Sequence, residues 1–173
     1  MRLKTIIFFL AIISIGCNTK EKKSAPNILI CIADDAGHMG KEYPWVETPA
    51  FDRVASDGLL FANAYTPNAK CSPSRACLLT ARNSWQLKEG ANHWNNFPAE
   101  FKTYPEALED FGYHTGFTGK GWGPGNPGQV YGKKRELAGK EWNDLKTEPP
   151  TKSISKTDYS ANFIDFYNHK QED

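Results

Sequence analysis

An unbroken apolar run that ends in two acids is the feature that most constrains the fold of this chain. Residues 27–33 have the sequence NILICIA, and Asp34 and Asp35 follow directly. Continuous rather than alternating apolarity predicts a strand that is covered on both faces, as in a parallel sheet. Open α/β sheets bind ligands beyond the carboxyl ends of their strands, so both acids are candidate site residues. Their oxygen atoms suit a hard divalent cation, Ca²⁺ or Mg²⁺.

The remaining apolar segments alternate between helix and strand signals. Capping residues, prolines at first turns and closing glycines mark the helix ends, and Thr103 and Glu106 have the spacing of a capping box. We expect Phe111, Phe163 and Ile164 to face inward on their helices. We predict strands over residues 27–33, 59–65 and 113–118, and helices over residues 48–58, from about 74, over 103–112 and over 158–169. This order predicts an α/β fold with a mostly parallel central sheet and helices on both faces. Because the last helix is not followed by a strand, we expect a truncated domain.

The N-terminus has the pattern of an export signal. Basic Arg2 and Lys4 precede an apolar stretch over residues 6–15, which is too short for a comfortable membrane span. The sequence SIGC that ends at Cys17 resembles a bacterial lipobox, so we expect cleavage before Cys17 and lipid attachment to it. A plain secretory signal that is cleaved nearby is the alternative. Either interpretation predicts an exported protein, and the lipobox predicts a lipid anchor in a bacterial membrane, facing the periplasm or the cell surface.

Composition supports one domain after this leader. The chain has 173 residues, of which 39% are hydrophobic, and a formal net charge of +1. A near-neutral balance gives no electrostatic reason to expect nucleic acid as a partner. We divide the chain into a signal peptide at 1–17, a tether at 18–25 and a domain at 26–173. Cys31 and Cys77 are expected to be buried free thiols, although a bridge between them stays open.

A second motif begins at Cys71 and has the sequence CSPSRACLLTAR. One helical turn separates Cys71 from Arg75, so the guanidinium can approach the group at position 71. Its rigid planar fork suits an oxyanion or a sulfonyl oxygen. A helix that begins here also directs backbone N–H groups towards negative charge. A third motif, TGK, ends at Lys120 and opens a glycine-rich loop.

These three motifs, within about residues 26–125, resemble the N-terminal part of type I sulfatases in the alkaline phosphatase superfamily. The resemblance implies a partial alkaline-phosphatase-like sandwich. It also implies that a formylglycine-generating enzyme or an anaerobic sulfatase-maturating enzyme oxidises Cys71 to formylglycine. The other roles that it implies are metal ligands at Asp34, Asp35 and position 71, a contact from Arg75 to the formylglycine hydrate, and a contact from Lys120 to the sulfate group.

The chain departs from this family pattern at two positions. Ala81 stands where the family usually has glycine, and Trp122 stands where it commonly has a histidine that hydrogen-bonds the formylglycine. An indole N–H can donate a hydrogen bond but cannot act as a base. The possible substitutes for that histidine are His38, His93 and His114.

The likeness is greatest to heparan N-sulfatases, through CSPSRA and the segment NHWNNF at residues 92–97. This subgroup resemblance makes His93 and Trp94 substrate-pocket candidates, together with Trp122. It implies hydrolysis of a sulfate ester or a sulfamate on a sulfated carbohydrate, such as the glycosaminoglycan heparan sulfate.

Two alternatives stay open at this point. One is a formylglycine-dependent phosphodiesterase or phosphonate hydrolase of the same superfamily. The other is a surface lipoprotein that binds sulfated glycans without catalysis. The family's second pair of metal ligands and its further lysine cannot be identified before Asp173. We therefore expect the chain to be the N-terminal part of a longer enzyme, inactive alone.

Overall fold

The computed structural model describes residues 25–34, 36 and 45–169. The described residues divide into two units, those up to residue 60 and those from residue 61 onwards, and each unit is described by itself. Among the described residues, no helix is long and apolar enough to cross a membrane.

Several predictions fall on positions that the structure does not describe. These are the signal peptide with Cys17, most of the tether, Asp35 and His38. They stay predictions of the sequence.

The first unit contains helix α1, Pro49–Asp57, as predicted. Pro49 occupies the first turn, where its missing N–H costs no hydrogen bond. The helix ends at Gly58, whose amide donates to the carbonyl oxygen of Val54 across 3.0 Å. None of the residues of this helix is buried.

The strand predicted over residues 27–33 is absent from the structure. The segment has no regular secondary structure, and its apolar side chains are exposed, including that of Cys31. Residues 59–65 are likewise irregular and exposed. Both strand predictions, and the burial of Cys31, are therefore wrong for this structure. A strand requires a hydrogen-bonded neighbour, and none is assigned to either segment within the described part of the chain.

In the second unit, helix α2 is Cys71–Thr80 and begins earlier than the predicted start near residue 74. It ends at Ala81, which adopts the left-handed conformation with φ 53°. Glycine is favoured there, which explains why the family's usual glycine suits the position. Alanine can occupy it at a cost of about 1 kcal/mol.

The buried core of this unit forms around α2. Short 3₁₀ turns at Ser84–Gln86 and Lys88–Ala91 follow that helix. The buried apolar side chains in contact are those of Ala76, Cys77, Leu79, Leu87, Phe97 and Leu137. The thiol of Cys77 is free, as predicted, and burial raises its pKa.

Helix α3, Tyr104–Glu109, confirms the predicted capping box. The Thr103 amide donates to the Glu106 carboxylate across 2.8 Å, and the Glu106 amide donates back to the Thr103 hydroxyl across 3.5 Å. The helix ends short of the predicted Gly112. Phe111, which was expected to pack inward, therefore lies beyond the last turn and is 84% exposed.

The strands of the described residues form three short pairs. Strand β1, Asn95–Asn96, runs parallel to β3, Gly125–Asn126. Strand β2, Gly116–Phe117, runs parallel to β6, Lys140–Glu141. The antiparallel pair is β4, Gln129–Val130, with β5, Lys133–Lys134. Mixed helices and strands, with two of the three pairs parallel, confirm the α/β class.

The last helix, α4, is Tyr159–His169, close to its predicted bounds. Its buried side chain is Asn162, whereas Phe163 and Ile164 were expected to face inward and are exposed. The Asn162 amide bonds both the N–H and the C=O of Leu145, across 3.1 Å and 2.8 Å. The buried Asn162 side chain thus holds this helix to the main chain at Leu145, and these bonds satisfy its polar atoms.

Candidate functional site

Cys71 is the first residue of α2 and is half-buried. The loop before it is held by hydrogen bonds to the helix and within the loop. The Thr66 hydroxyl lies 2.8 Å from that of Ser74, and the Lys70 amide donates to the Asn68 side chain across 3.1 Å. The group at position 71 therefore lies at a fixed helix N-terminus, where the helix dipole favours negative charge.

Arg75 joins this helix to the loop that contains Lys120. The arginine is only 7% exposed, and its Nη1 donates to the carbonyl oxygens of Lys120 and Gly121, the latter across 3.0 Å. The structure thus brings together two of the predicted catalytic residues, through the main chain of one of them. The predicted contact of Arg75 with the modified group at position 71 stays a prediction.

Trp122 makes a second bond between the same two segments. Its indole Nε1 donates to the carbonyl oxygen of Ser72 across 3.1 Å, and its ring meets Phe97 edge to face at 5.4 Å. Gly125 is required beside it, because an added Cβ would lie 2.7 Å from the indole and 2.5 Å from the Asn95 carbonyl oxygen. In this structure the indole contacts main chain and core. Its contact with substrate stays a prediction.

Asn143 positions the Lys120 loop and was not found from the sequence. Its side chain accepts a hydrogen bond from the Gly119 amide across 2.6 Å and donates to the Gly119 carbonyl oxygen across 2.9 Å. Gly119 has φ +81°, and an added Cβ would lie 2.5 Å from Tyr159. Asn143 arrives here because it follows β6, which pairs with β2. An isolated asparagine outside any motif gives no sequence signal of this contact.

Two of the candidate histidines lie in different surroundings. The His93 Nδ1 lies 3.3 Å from the hydroxyl of Ser72, next to Cys71, and the imidazole is exposed. His114 instead stacks on Phe166, with ring centres 4.9 Å apart. Of these two, the structure places His93 at the Cys71 motif and His114 in an aromatic cluster.

The predicted metal ligands fall in different units, and Asp35 lies outside the described residues. Asp34 is exposed and belongs to the first unit, whereas Cys71 belongs to the second. Among the described residues, no group of three or more His, Cys, Asp or Glu side chains could hold a metal ion. The carboxylate oxygens of Asp34 are of the kind that binds a hard cation.

Comparison with known protein families identifies the family to which this chain belongs. Residues 26–171 match the Sulfatase family. The chain belongs to the sulfatase family. This membership confirms the resemblance of the three motifs, and the helices and short parallel pairs are those of a partial alkaline-phosphatase-like α/β fold.

Individual sulfatases match the chain over part of their length. It is 34% identical over 104 residues to the N-acetylglucosamine-6-O-sulfatase of Bacteroides thetaiotaomicron, covering 58% of the chain and 18% of the relative. It is 40% identical over 111 residues to the ulvan-active sulfatase of Formosa agariphila, covering 58% and 21%. Human N-sulphoglucosamine sulphohydrolase is 38% identical over 101 residues, covering 54% and 20%. The chain thus spans about a fifth of the length of these curated relatives. No solved structure matches it.

Proposed function

We propose that this protein is the N-terminal part of a sulfatase that hydrolyses sulfate esters or sulfamates of glycans. One observation carries the proposal. Buried Arg75 in the Cys71 motif donates to the main chain at Lys120 and Gly121, so two distant sulfatase motifs form one structural unit. The names of the similar sulfatases support a sulfated carbohydrate as substrate.

The side chains of this unit suit sulfuryl transfer. A formylglycine made from Cys71 supplies a hydrated aldehyde whose hydroxyl oxygen can attack sulfur. Arg75 and Asn143 fix the main chain on either side of Lys120, so its ammonium group can offset charge on the sulfuryl oxygens. The N–H groups that begin α2 favour negative charge at the same place. The departing alcohol or amine requires a proton donor.

A divalent cation, Ca²⁺ or Mg²⁺, completes the proposed site. Asp34, Asp35 and the modified residue at position 71 would hold it, together with further oxygen ligands. The cation supplies Lewis-acid charge that polarises the sulfuryl group.

Release of inorganic sulfate is the direct test. The full-length gene product, produced together with a sulfatase-maturating enzyme, is given N-acetylglucosamine 6-sulfate, an N-sulfated glucosamine and a phosphate diester. The 173-residue chain and a Cys71→Ala variant are assayed beside it. Sulfate release that is lost in the variant supports the proposal. Faster turnover of the phosphate diester would identify the phosphodiesterase alternative instead. Glycan binding with no turnover and an unmodified Cys71 would identify the non-catalytic lipoprotein.

We also propose that the protein is exported and anchored by lipid at Cys17. The basic start, the apolar stretch and the SIGC sequence support this. Labelled palmitate should be incorporated into the wild-type protein and not into a Cys17→Ser variant. Equal labelling of both would contradict the anchor.

A further inference from the structure

Trp94 is a large aromatic residue that is held in an exposed position. Its side chain is 75% exposed, and its backbone has φ +56°, in the left-handed region that bulky residues rarely adopt. The residues around it are fixed. Asn95 pairs with Gly125 across β1 and β3, and its side chain donates to the Asn92 carbonyl oxygen. Unfavourable backbone conformations persist where the surrounding structure enforces them, and they concentrate at ligand sites.

His93 connects this aromatic residue to the Cys71 motif. Its Nδ1 lies 3.3 Å from the hydroxyl of Ser72, which is completely buried and follows Cys71 directly. The rings of His93 and Trp94 meet edge to face, with centres 6.2 Å apart and an interplanar angle of 82°. The histidine is therefore held against the residue next to the proposed reactive group, with the exposed indole beside it.

We propose that Trp94 and His93 form a carbohydrate subsite of the sulfatase. The indole stacks against the apolar C–H face of the sugar ring that carries the sulfate, and the outer edge of the imidazole hydrogen-bonds a ring hydroxyl. A rigid aromatic surface with an adjacent polar group suits this ligand, because a pyranose combines an apolar face with polar edges. The choice of a sulfated sugar as ligand rests on the proposed function. The subsite itself concerns sugar binding and not the reaction at sulfur.

The chain provides a matched control for the indole. Trp85 lies in the 3₁₀ turn Ser84–Gln86 and is 78% exposed, so its replacement removes an equally exposed tryptophan from the same unit. Trp85 is not adjacent in the sequence to either His93 or Ser72, which form the hydrogen bond described above. A general effect of losing surface aromatic area should therefore be equal in Trp85→Ala and Trp94→Ala.

Binding of two sugars tests the subsite without requiring turnover. The full-length Cys71→Ala protein is titrated with N-acetylglucosamine 6-sulfate and with N-acetylglucosamine by ligand-observed NMR. Trp94→Ala, added to that background, should weaken binding of both sugars about tenfold or more, as truncation of a central aromatic contact does. Trp94→Phe should weaken it less, and Trp85→Ala should leave it unchanged. His93→Ala should also weaken binding of both sugars.

The results separate this inference from the proposed function. If the enzyme releases sulfate but Trp94→Ala and Trp85→Ala bind sugar equally well, the subsite is wrong and the sulfatase stands. If sugar binding depends on Trp94 but no sulfate ester is hydrolysed, the subsite stands without the reaction. A lower melting temperature for Trp94→Ala with unchanged sugar affinity would show that the indole packs inside the protein. Failure of the parent protein to bind either sugar would also overturn the subsite.

Discussion

The indole Nε1 of Trp122 donates a hydrogen bond to the carbonyl oxygen of Ser72 across 3.1 Å. In the opposite direction, the guanidinium of Arg75 donates to the carbonyl oxygens of Lys120 and Gly121. Helix α2 and the Lys120 loop are therefore joined by hydrogen bonds in both directions, since each segment supplies one donor side chain and accepts through its main chain. Trp122, which stands where the family commonly has a histidine, thus makes a structural contact in this chain.

The indole N–H can be removed while most of the ring is kept. Trp122→Phe leaves the Ser72 carbonyl without this partner, so we expect the free energy of unfolding to fall by about 1 kcal/mol and sulfate release by the full-length gene product to slow. Calorimetry and steady-state kinetics measure the two effects. Trp85→Phe is the control, because Trp85 is exposed. Equal stability and kcat in Trp122→Phe and wild type would show that the bond contributes nothing.

Arg75 should not be replaceable by lysine. A lysine retains the charge but lacks the planar fork that reaches two adjacent carbonyl oxygens from a buried position. We expect Arg75→Lys to lower the free energy of unfolding by about 1.5–3 kcal/mol and to speed amide hydrogen exchange in residues 119–122. Exposed Arg82, just after the same helix, provides Arg82→Lys as the control. If both variants exchange these amides at the wild-type rate, Arg75 does not hold the loop.

Asn143 holds Gly119 through one acceptor contact and one donor contact. Asn143→Asp keeps an acceptor for the Gly119 amide but removes the donor to its carbonyl oxygen and places a carboxylate beside that of Glu141, to which the Asn143 amide donates across 2.8 Å. Asn143→Ala removes both contacts with Gly119. We expect both variants of the full-length gene product to have lower catalytic efficiency with a sulfate ester than wild type, as Lys120 becomes less well positioned. Each lost hydrogen bond is worth about 1 kcal/mol of stability. An Asn143→Ala enzyme with unchanged kcat and KM would contradict this role.

Local contacts were predictable from the sequence, and distant ones were not. The Thr103–Glu106 capping box was predicted because its partners lie three residues apart and have characteristic side chains. The contact between Asn143 and Gly119 spans 24 residues and depends on strand pairing that no local pattern specifies. The continuous apolarity of residues 27–33 predicted a buried strand, but a strand also requires a neighbouring strand to which its backbone can hydrogen-bond.

The same distinction applies to the candidate site. Cys71, Arg75 and Lys120 were recognisable because their motifs are short and characteristic of the family. The contact that joins two of them uses main-chain carbonyl oxygens, which every residue has, so side-chain identity could not indicate it. The grouping of His93 with Ser72 likewise depends on how the chain folds after α2.

Glu106 provides a prediction about stability in acid. Its carboxylate caps α3 and pairs with Arg135, Oε1 to Nε at 2.5 Å, and both side chains are largely buried. Burial acts to raise the pKa of Glu106, but hydrogen bonds from Arg135 and Thr103 outweigh it and hold the pKa below its ordinary value. The folded state therefore binds this proton less readily than the unfolded chain. The stabilisation is present above the ordinary glutamate pKa and is lost as the pH falls through the lowered, folded-state pKa.

Glu106→Gln should remove this dependence on pH. At neutral pH the variant leaves the Arg135 charge without its carboxylate, so we expect a loss of about 3 kcal/mol in the free energy of unfolding. Between about pH 5 and pH 3, wild type should lose more stability than the variant, because only wild type has this carboxylate to protonate. Urea unfolding at several pH values measures both curves, with Glu109→Gln as an exposed control on the same helix. Parallel loss of stability in wild type and Glu106→Gln over that range would show that another carboxylate controls unfolding in acid.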